Sequence, residues 1–403
     1  MSKRTPALGF ILVTVLIDII GLGIIIPVIP ELLIELGELS IGNAALTGGV
    51  LFFSYAIVQF VFAPILGGLS DQYGRRAVIL IALFGLGIDY LFVAFATSIS
   101  ILFVGRIIAG ICGASFTTAS AYIADVTPPE KRAQNFGMLG AAFGVGFILG
   151  PIIGGLLGGI GLRVPFFVAA ALTLVNWLYG YFILPESLAK ENRRKFDIKR
   201  ANPVGSLMSL KKYPVILGLI IAFFFLYIAG HSIQSNWSYF GTEVFQWTPW
   251  DIGISLSFVG LMIALVQGLL VRVVVKKLGQ RKTVYLGLII NCIGLLLFSM
   301  VTELWMLYTV LAFYALGGIA GPTLQGIMST QVPSNEQGEL MGAITSLQSL
   351  ANIFGPLIMT GIFAFFTTQS AFYFPGAAFA LGSLFSLTCI FFTIRTLRKF
   401  ELT

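Results

Sequence analysis

Long apolar runs recur along the whole of this chain of 403 residues, and most charged residues lie in the short breaks between them. A run of about 20 apolar residues crosses the ~30 Å hydrocarbon core of a bilayer as an α-helix, because a helix makes all its backbone hydrogen bonds within the segment. Only 10% of the residues are charged, against about 25% in a soluble domain. The sequence therefore predicts an all-α, multi-pass membrane protein.

The apolar runs predict twelve transmembrane helices, with ends set to within a few residues. The predicted spans are 7–33, 43–69, 77–97, 101–124, 132–159, 164–184, 215–240, 252–274, 283–301, 305–331, 338–366 and 371–394. The longest polar segment, 185–214, separates spans six and seven. We therefore predict an N-terminal six-helix half (1–184), a cytoplasmic linker (185–214) and a C-terminal six-helix half (215–403).

The two predicted halves repeat each other at an offset of 205 residues. The sequence Gly-Pro-Ile-Ile at 150–153 returns as Gly-Pro-Leu-Ile at 355–358, and Gly74 matches Gly279. Paired repeats of this kind are typical of secondary transporters, whose substrate site lies between the halves near the membrane midplane.

The positive charges set the predicted orientation. All 24 Lys and Arg residues except Arg106 and Arg163 fall on one side of the predicted membrane. They are Lys3, Arg4, Arg75, Arg76, Lys131, Arg132, Lys190, Arg193, Arg194, Lys195, Lys199, Arg200, Lys211, Lys212, Arg272, Lys276, Lys277, Arg281, Lys282, Arg395, Arg398 and Lys399. The positive-inside rule makes that side the cytoplasm, so both termini are predicted to be cytoplasmic. This distribution also argues against nucleic acid as the reason for the net charge of +7.

Three motifs stand out along the first half. Residues 67–76, Gly-Gly-Leu-Ser-Asp-Gln-Tyr-Gly-Arg-Arg, place both signs of charge at a helix junction. Arg106 lies inside an apolar helix, where an arginine costs about 2.5–3.5 kcal/mol on insertion scales. The third motif is a glycine-rich helix face in span five. Its members are Gly146, Gly150, Pro151, Gly154 and Gly155, whose spacing permits close helix approach and a bend.

These motifs resemble the major facilitator superfamily, and within it the Gram-negative type of tetracycline/proton antiporter. Further matching segments are 18–23, 88–90, 122–125 and 324–329. The resemblance implies a proton-coupled exporter of an amphipathic small molecule in the bacterial inner membrane, working by alternating access, and the span-five glycines resemble the antiporter motif. Two positions depart from that family. It carries an acidic residue in span nine and a histidine in span eight, where this chain has Asn291 and Ile263.

Four titratable or charged residues within spans are candidates for proton coupling: Asp18, Asp89, Arg106 and His231. Carboxylates in a membrane are costly to charge, and protonation relieves that cost, so such groups are functional by default. The alternatives are hydrogen bonds between helices for the two acids and for His231. For Arg106, which we place near the outer end of span four, the alternative is snorkelling to the interface.

The motif at residues 67–76, which we name the signature loop, is a candidate cytoplasmic gate together with Asp125. The resemblance implies that Asp71, Gly74, Arg75, Arg76 and Asp125 hold the inner side closed through charge pairs and helix dipoles. The alternative is a solvated loop.

Five amides are candidates for lining the substrate cavity, with helix packing as the equal alternative. They are Gln59, Gln234, Asn236, Asn291 and Gln325.

The sequence argues against enzyme functions and cofactors. It contains no Gly-Lys pair, so it has no phosphate-binding loop for ATP, and one histidine with three scattered cysteines offers no metal-ligand spacing. We expect a monomer whose partners are a small molecule, protons and lipid. Two alternatives stay open: proton-coupled transport of a metabolite or a metal chelator such as a siderophore, and a membrane receptor that does not transport.

Overall fold

The structure is a computed structural model that describes residues 5–113, 115–127, 132–195, 214–332 and 337–399. Some of the residues used to predict orientation, namely Lys3, Arg4, Lys131, Lys199, Arg200, Lys211 and Lys212, lie outside the described residues. Part of the predicted linker does so too.

The described chain is a succession of helices. In the first half they are α1 (Thr5–Ile25), α2 (Ile29–Gly37), α3 (Ile41–Tyr73), α4 (Arg75–Ala94), α5 (Ile99–Cys112), α6 (Ser115–Val126), α7 (Arg132–Gly158) and α8 (Val164–Ile183). In the second half they are α9 (Pro214–Gln234), α10 (Trp237–Phe245), α11 (Pro249–Leu265), α12 (Val271–Phe298), α13 (Leu304–Leu316), α14 (Ala320–Thr330), α15 (Gln337–Ala364) and α16 (Ala377–Lys399).

Each predicted span overlaps one or two of these helices, and span twelve, predicted from residue 371, begins as a helix only at Ala377. Within the described residues, 10 helical stretches are long and apolar enough to cross a membrane. One of them, Pro249–Phe298, is 50 residues long and contains predicted spans eight and nine. Predicted span four corresponds to α5 and α6, which flank residue 114. The predicted all-α membrane fold is confirmed.

Two glycines mark equivalent breaks between helices in the two repeats. Gly74 precedes α4 with a φ of 105°, and Gly279 interrupts α12 with a φ of 76°. Both values lie in the left-handed region that residues with a Cβ atom rarely adopt. The matching glycines at an offset of 205 residues therefore serve the same turn, and Gly279 separates the end of span eight from span nine.

The chain packs into two compact units. The first comprises Met1–Glu38, Ser54–Asn202 and Thr248–Ser257; the second comprises Leu39–Phe53, Pro203–Trp247 and Phe258–Thr403. Leu39–Phe53 and Thr248–Ser257 each pack with the unit other than the one that contains their neighbours in sequence, and the division into halves at 184 and 215 stays a prediction. Within the first unit, the start of α11 lies on α7 because both helices carry glycine at the contact: a Cβ atom on Gly155 would lie 3.3 Å from the Gly253 Cα atom.

Candidate functional site

An ion pair lies in the interior of the first unit. Nη2 of Arg106 on α5 is 2.6 Å from Oδ2 of Asp89 on α4, and the Asp89 side chain is 1% exposed. The other carboxylate oxygen, Oδ1, is buried and has no hydrogen-bond partner among the described residues. Gly105 makes room for it, since a Cβ atom there would lie 2.7 Å from Oδ1. The carboxylate is therefore held by a single charged partner.

The structure favours the pairing role of Arg106 over the snorkelling alternative. The guanidinium contacts Asp89 within the unit, and the Arg106 side chain is 15% exposed. The physical reason is Asp89, which offers a buried charge of opposite sign on the adjacent helix.

Two tyrosines and Asp18 lie within electrostatic range of this pair. The charges of Asp18, Asp89 and Arg106 all act on the hydroxyl groups of Tyr55 and Tyr90. Sequence analysis missed both tyrosines; the adjacency of Tyr90 to Asp89 was the available signal.

The contact between α1 and α4 places Asp18 near Tyr90. A Cβ atom on Gly21 would lie 2.6 Å from the Tyr90 hydroxyl oxygen. Asp18 and Gly21 are three residues apart on α1 and so share a helix face. The site therefore gathers the two acids predicted for coupling around one tyrosine.

Gln59 has a structural role at the edge of this cluster. Its Nε2 donates to the Tyr55 hydroxyl at 3.1 Å and to the Gly113 carbonyl at 2.9 Å. The amide ties α3 to the end of α5 and fixes the Tyr55 hydroxyl.

The predicted gate residues form a charge network at the end of α3. Arg75 contacts Asp71 at 2.6 Å, Asp125 at 3.2 Å and the Ser70 hydroxyl at 2.6 Å. Arg76 points elsewhere: its Nη2 donates to the Tyr181 carbonyl at 2.6 Å. Three of the four predicted gate charges thus meet, and Arg76 ties α4 to α8.

A ten-residue segment that sequence analysis assigned to the linker completes the network. We name Pro185–Arg194 the strap. Arg194 binds Oδ2 of Asp71 through both Nε, at 2.9 Å, and Nη2, at 2.5 Å. Glu186 Oε1 accepts from the Arg75 backbone N–H at 2.8 Å, and Ser187 donates to Asp125 at 3.0 Å. The feature of the sequence that could have indicated these contacts is Glu186, an acidic residue that precedes a run of cations.

Gly74 is required where the strap meets the signature loop. A Cβ atom there would collide with the Glu186 carboxylate. Glu186 also lies where the first backbone N–H groups of α4 are left without partners by the helix itself, a position that favours an anion. The contact of the strap with α4 therefore requires both the exposed N–H groups at the start of that helix and the missing side chain of Gly74.

The glycine-rich face of span five packs on α1. Cβ atoms on Gly146 and Gly150 would lie 2.9 Å from the Ile19 Cβ atom and 2.8 Å from the Gly23 Cα atom respectively, and one on Gly154 would collide with the Ile24 backbone. Pro151 lies inside α7. These residues form a backbone-to-backbone contact between helices, and Gly155 extends it to α11.

The second unit holds neutral polar contacts. His231 is 1% exposed; its Nε2 lies 3.1 Å from Asn352 Oδ1 on α15 and its Nδ1 lies 3.4 Å from the Ser235 hydroxyl. One turn earlier, Gln348 Nε2 donates to the Tyr227 hydroxyl at 2.5 Å. Sequence analysis selected His231 and missed the residues that face it.

Two of the amides selected for the cavity are buried in helix contacts. Asn291 is 7% exposed, and its Oδ1 accepts from Ser386 at 3.0 Å and contacts Tyr314. Asn236 is fully buried and donates to the Ser232 carbonyl at 3.3 Å. Asn291 matches the packing alternative, because a neighbouring helix supplies its partner. Asn236 bonds only the chain four residues earlier, and its buried Oδ1 has no hydrogen-bond partner among the described residues.

The other two amides of the second unit are accessible. Gln234 is exposed at the end of α9, and Gln325 Nε2 lies 3.3 Å from Met341 Sδ on α15. Ile263, at the position where the resembling family has histidine, is 40% exposed on α11.

The family of the chain follows from these features together with comparison to known proteins. The model of the Major Facilitator Superfamily matches residues 11–276 and 242–401. Among solved structures, a bacterial homologue of the human lysosomal transporter Spinster, in an inward-facing and occupied conformation, superposes with a TM-score of 0.80 at 18% identity, covering 99% of this chain and 97% of that one. The protein belongs to the major facilitator superfamily and is a multi-pass membrane transporter.

Curated relatives narrow the similarity. The chain is 39% identical over 388 residues to the tetracycline resistance protein, class C, of Escherichia coli, covering 96% of each chain. It is 40% identical over 355 residues to the class E protein of the same organism, covering 88% of this chain and 87% of the relative. The resemblance to the tetracycline resistance proteins is confirmed over nearly the whole chain.

Proposed function

We propose that the protein exports a tetracycline-like drug in exchange for protons across the bacterial inner membrane, with both termini in the cytoplasm. The observation that carries the proposal is the buried Asp89–Arg106 pair in a chain of this family. Similarity to two tetracycline resistance proteins supports the substrate class.

Asp89 is the proposed proton carrier. When it is ionised, Arg106 compensates its charge at 2.6 Å. When Asp89 takes up a proton, the pair loses its attraction and Arg106 is left as a buried cation that must find another partner. Asp18, whose charge acts on the same tyrosines, is the nearby acid that we expect to become the new partner of Arg106. Proton binding is thereby linked to a rearrangement of α1, α4 and α5.

The proton gradient is sufficient for export. One pH unit supplies about 1.4 kcal/mol per proton, and a potential of 100 mV supplies about 2.3 kcal/mol per charge. One charge-moving proton therefore supports roughly 500-fold accumulation of drug on the outer side, at about 1.4 kcal/mol per factor of ten.

The network of Asp71, Arg75 and Asp125 with the strap is the proposed cytoplasmic gate. Its ion pairs join α3, α6 and the segment after α8. Asp71→Asn or Arg75→Ala is expected to reduce transport strongly while leaving drug affinity nearly unchanged, because the network lies at helix ends. Equilibrium binding on the purified variants separates the two roles; a large loss of affinity would place these residues in the binding site.

The test of the function is proton flux in proteoliposomes that contain the purified protein and a pH-sensitive dye in the lumen. With an imposed pH gradient, addition of tetracycline is expected to accelerate proton movement, and drug movement is expected to follow the gradient. Protein-free liposomes measure the leak caused by the drug itself.

A panel of other amphipathic drugs and metal chelators in the same assay decides the substrate. Flux with a chelator and none with tetracycline would replace the drug in this proposal. Drug movement without any proton movement would replace antiport by uniport.

A further inference from the structure

A polar ladder joins α9 and α15 in the second unit and has no part in the proposed coupling or gating. Its first rung is the bond from Gln348 to the Tyr227 hydroxyl, and its second is the contact between His231 and Asn352. The rungs are four residues apart on each helix, which places them about 6 Å apart along the helix axes.

The ladder lies in the middle of two membrane spans. Tyr227 and His231 belong to Ile216–Phe245, and Gln348 and Asn352 belong to Leu340–Gln369. His231 is buried, Tyr227 and Gln348 are half-buried, and Asn352 is exposed.

The surface beside the ladder is open. No described atom lies within 4 Å of a Cβ atom placed on Gly230, which neighbours His231. Farther along α9, Gln234 is exposed as well. The ladder therefore has one side packed between helices and one side free.

The free side is suited to water and not to lipid. Hydrocarbon offers no hydrogen-bond partner to an amide, so polar side chains within spans face the protein interior or a water-filled cavity. An exposed asparagine at mid-span, one turn from Gln348 on the same helix, fits a solvated surface. Residues 214–234 and 340–364 contain no Asp, Glu, Lys or Arg, so the solvated surface is neutral.

The side chains of the ladder retain hydrogen-bonding groups for a ligand. Gln348 uses one amide N–H on Tyr227 and keeps its carbonyl acceptor, and the Tyr227 hydroxyl keeps its own proton to donate. The Asn352 oxygen faces His231, which leaves both amide N–H groups of Asn352 as donors. Donors from Tyr227 and Asn352 thus alternate with an acceptor from Gln348.

We propose that Tyr227, Gln348 and Asn352 form a substrate subsite for an uncharged, oxygen-rich edge of the ligand: adjacent carbonyl, enol or hydroxyl groups about one helix turn long. The inference rests on the proposed function, because it assigns the neutral part of drug recognition to this face. The position of the His231 ring requires glycine at residue 355, because a side chain there would collide with the ring.

The first test measures affinity. Tetracycline binding to the purified full-length protein in detergent is expected to weaken about 3- to 10-fold in Gln348→Met and in Asn352→Leu, the loss expected for one neutral hydrogen bond. Thr309→Val is the matched control, because Thr309 is exposed and bonds only the carbonyl of Trp305 on its own helix. Unchanged affinity in both variants, at wild-type melting temperature, overturns the subsite.

The second test does not depend on the ligand. In a variant lacking Cys112, Cys292 and Cys389, the single changes Gln348→Cys and Asn352→Cys are expected to react with a membrane-impermeant maleimide, and Ser386→Cys, at a fully buried position, is expected not to react. Tetracycline is expected to slow the reaction at the first two positions at least 3-fold.

The outcomes separate the subsite from the function. Failure of labelling at both positions overturns the solvated face whatever the substrate is. Labelling without protection, while the wild-type protein binds tetracycline, overturns the ligand assignment. If the wild-type protein binds no tetracycline, the drug in the proposed function is wrong, and protection by the compound that drives proton flux decides the subsite.

Discussion

Equivalent positions of the two units bury different chemistry. At the repeat offset, Asp89 and Arg106 of the first unit correspond to Gly294 and Leu311 of the second. Where the first unit holds an ion pair at 2.6 Å, the second packs Gly294 against Tyr314, 2.9 Å from the Cβ position. Asp18 likewise corresponds to Phe223, which is 1% exposed. One helix scaffold thus accommodates either a charge pair or apolar packing.

This difference indicates that the charged residues proposed for proton coupling lie in the first unit, whereas the neutral residues proposed for ligand recognition lie in the second. The polar contacts of the second unit, at Asn291, His231 and Gln348, join neutral groups. A neutral contact does not change with proton uptake at an acid, whereas the Asp89–Arg106 pair does. The acids needed for coupling are therefore found in one unit, and neutral hydrogen bonding is concentrated in the other.

The strongest test of this division is Asp89→Asn, which makes the first unit as neutral as the second. We expect it to abolish proton flux driven by drug, because the amide cannot carry the proton, while drug exchange down its gradient survives. The measurement is flux in proteoliposomes at matched protein density. Asp251→Asn is the control, since Asp251 caps the start of α11 at 2.9 Å from the Thr248 nitrogen and is expected to keep wild-type coupling. Wild-type proton flux in Asp89→Asn would contradict the division.

A stability cycle measures how strongly the charge pair holds the first unit. Arg106→Leu installs the residue of the second unit and strands a buried carboxylate, so it is expected to lower the free energy of unfolding by about 3 kcal/mol. Adding Asp89→Asn to Arg106→Leu is expected to recover most of that loss, because no uncompensated charge remains. Unfolding in detergent of the wild-type protein, Arg106→Leu and the double variant gives the three free energies to compare. A double variant as unstable as Arg106→Leu alone would mean that packing, not charge, is lost.

The matched glycines Gly150 and Gly355 give a smaller contrast. An added methyl group meets the backbone of Gly23 at the first position and the ring of His231 at the second. Each change to alanine is expected to cost about 2 kcal/mol by overpacking. His231→Ala removes the ring and is expected to offset about 1 kcal/mol of the cost at Gly355, as a coupling between contacting residues. It is expected to leave the cost at Gly150 unchanged. Unfolding of the three single and two double variants measures this, and equal coupling at both glycines would contradict it.

The smallest expected effect belongs to a neutral contact of the second unit. Ser386→Ala removes the hydroxyl that donates to Asn291 at 3.0 Å and is expected to cost about 1 kcal/mol, the usual value for a neutral hydrogen bond. Proton flux is expected to stay at the wild-type level. A loss of coupling in this variant would give Asn291 a role like that of the acid that its relatives carry.

The spans and the individual membrane charges could be predicted from the sequence, because bilayer thickness and the cost of burying charge act on each segment separately. The pairing of Asp89 with Arg106 could not, since it depends on the rotation of α4 against α5 about their axes. The same limit applies to Asn291 and Gln234, two amides in apolar surroundings of which one is buried and one is exposed. Which of them has a partner is set by helices distant in sequence.

The contacts of the strap could not be predicted from the sequence for another reason. A run with four cations among 190–195 reads locally as a solvated linker. Its position is fixed by groups about 110–120 residues earlier, namely Asp71 and the start of α4. Sequence patterning reports the charge of a segment and not the distant charges that it meets.

The strap also decides where this chain can be divided. A half-transporter cut at residue 184, just after the last helix of the first half ends at Ile183, would lose Glu186, Ser187 and Arg194 and leave Asp71, Asp125 and the first turn of α4 without those partners. A cut after residue 195 keeps them all. For anyone expressing the halves as separate polypeptides, the natural end of the first half is therefore residue 195, twelve residues past the end of its last membrane helix at Ile183 and within the predicted linker.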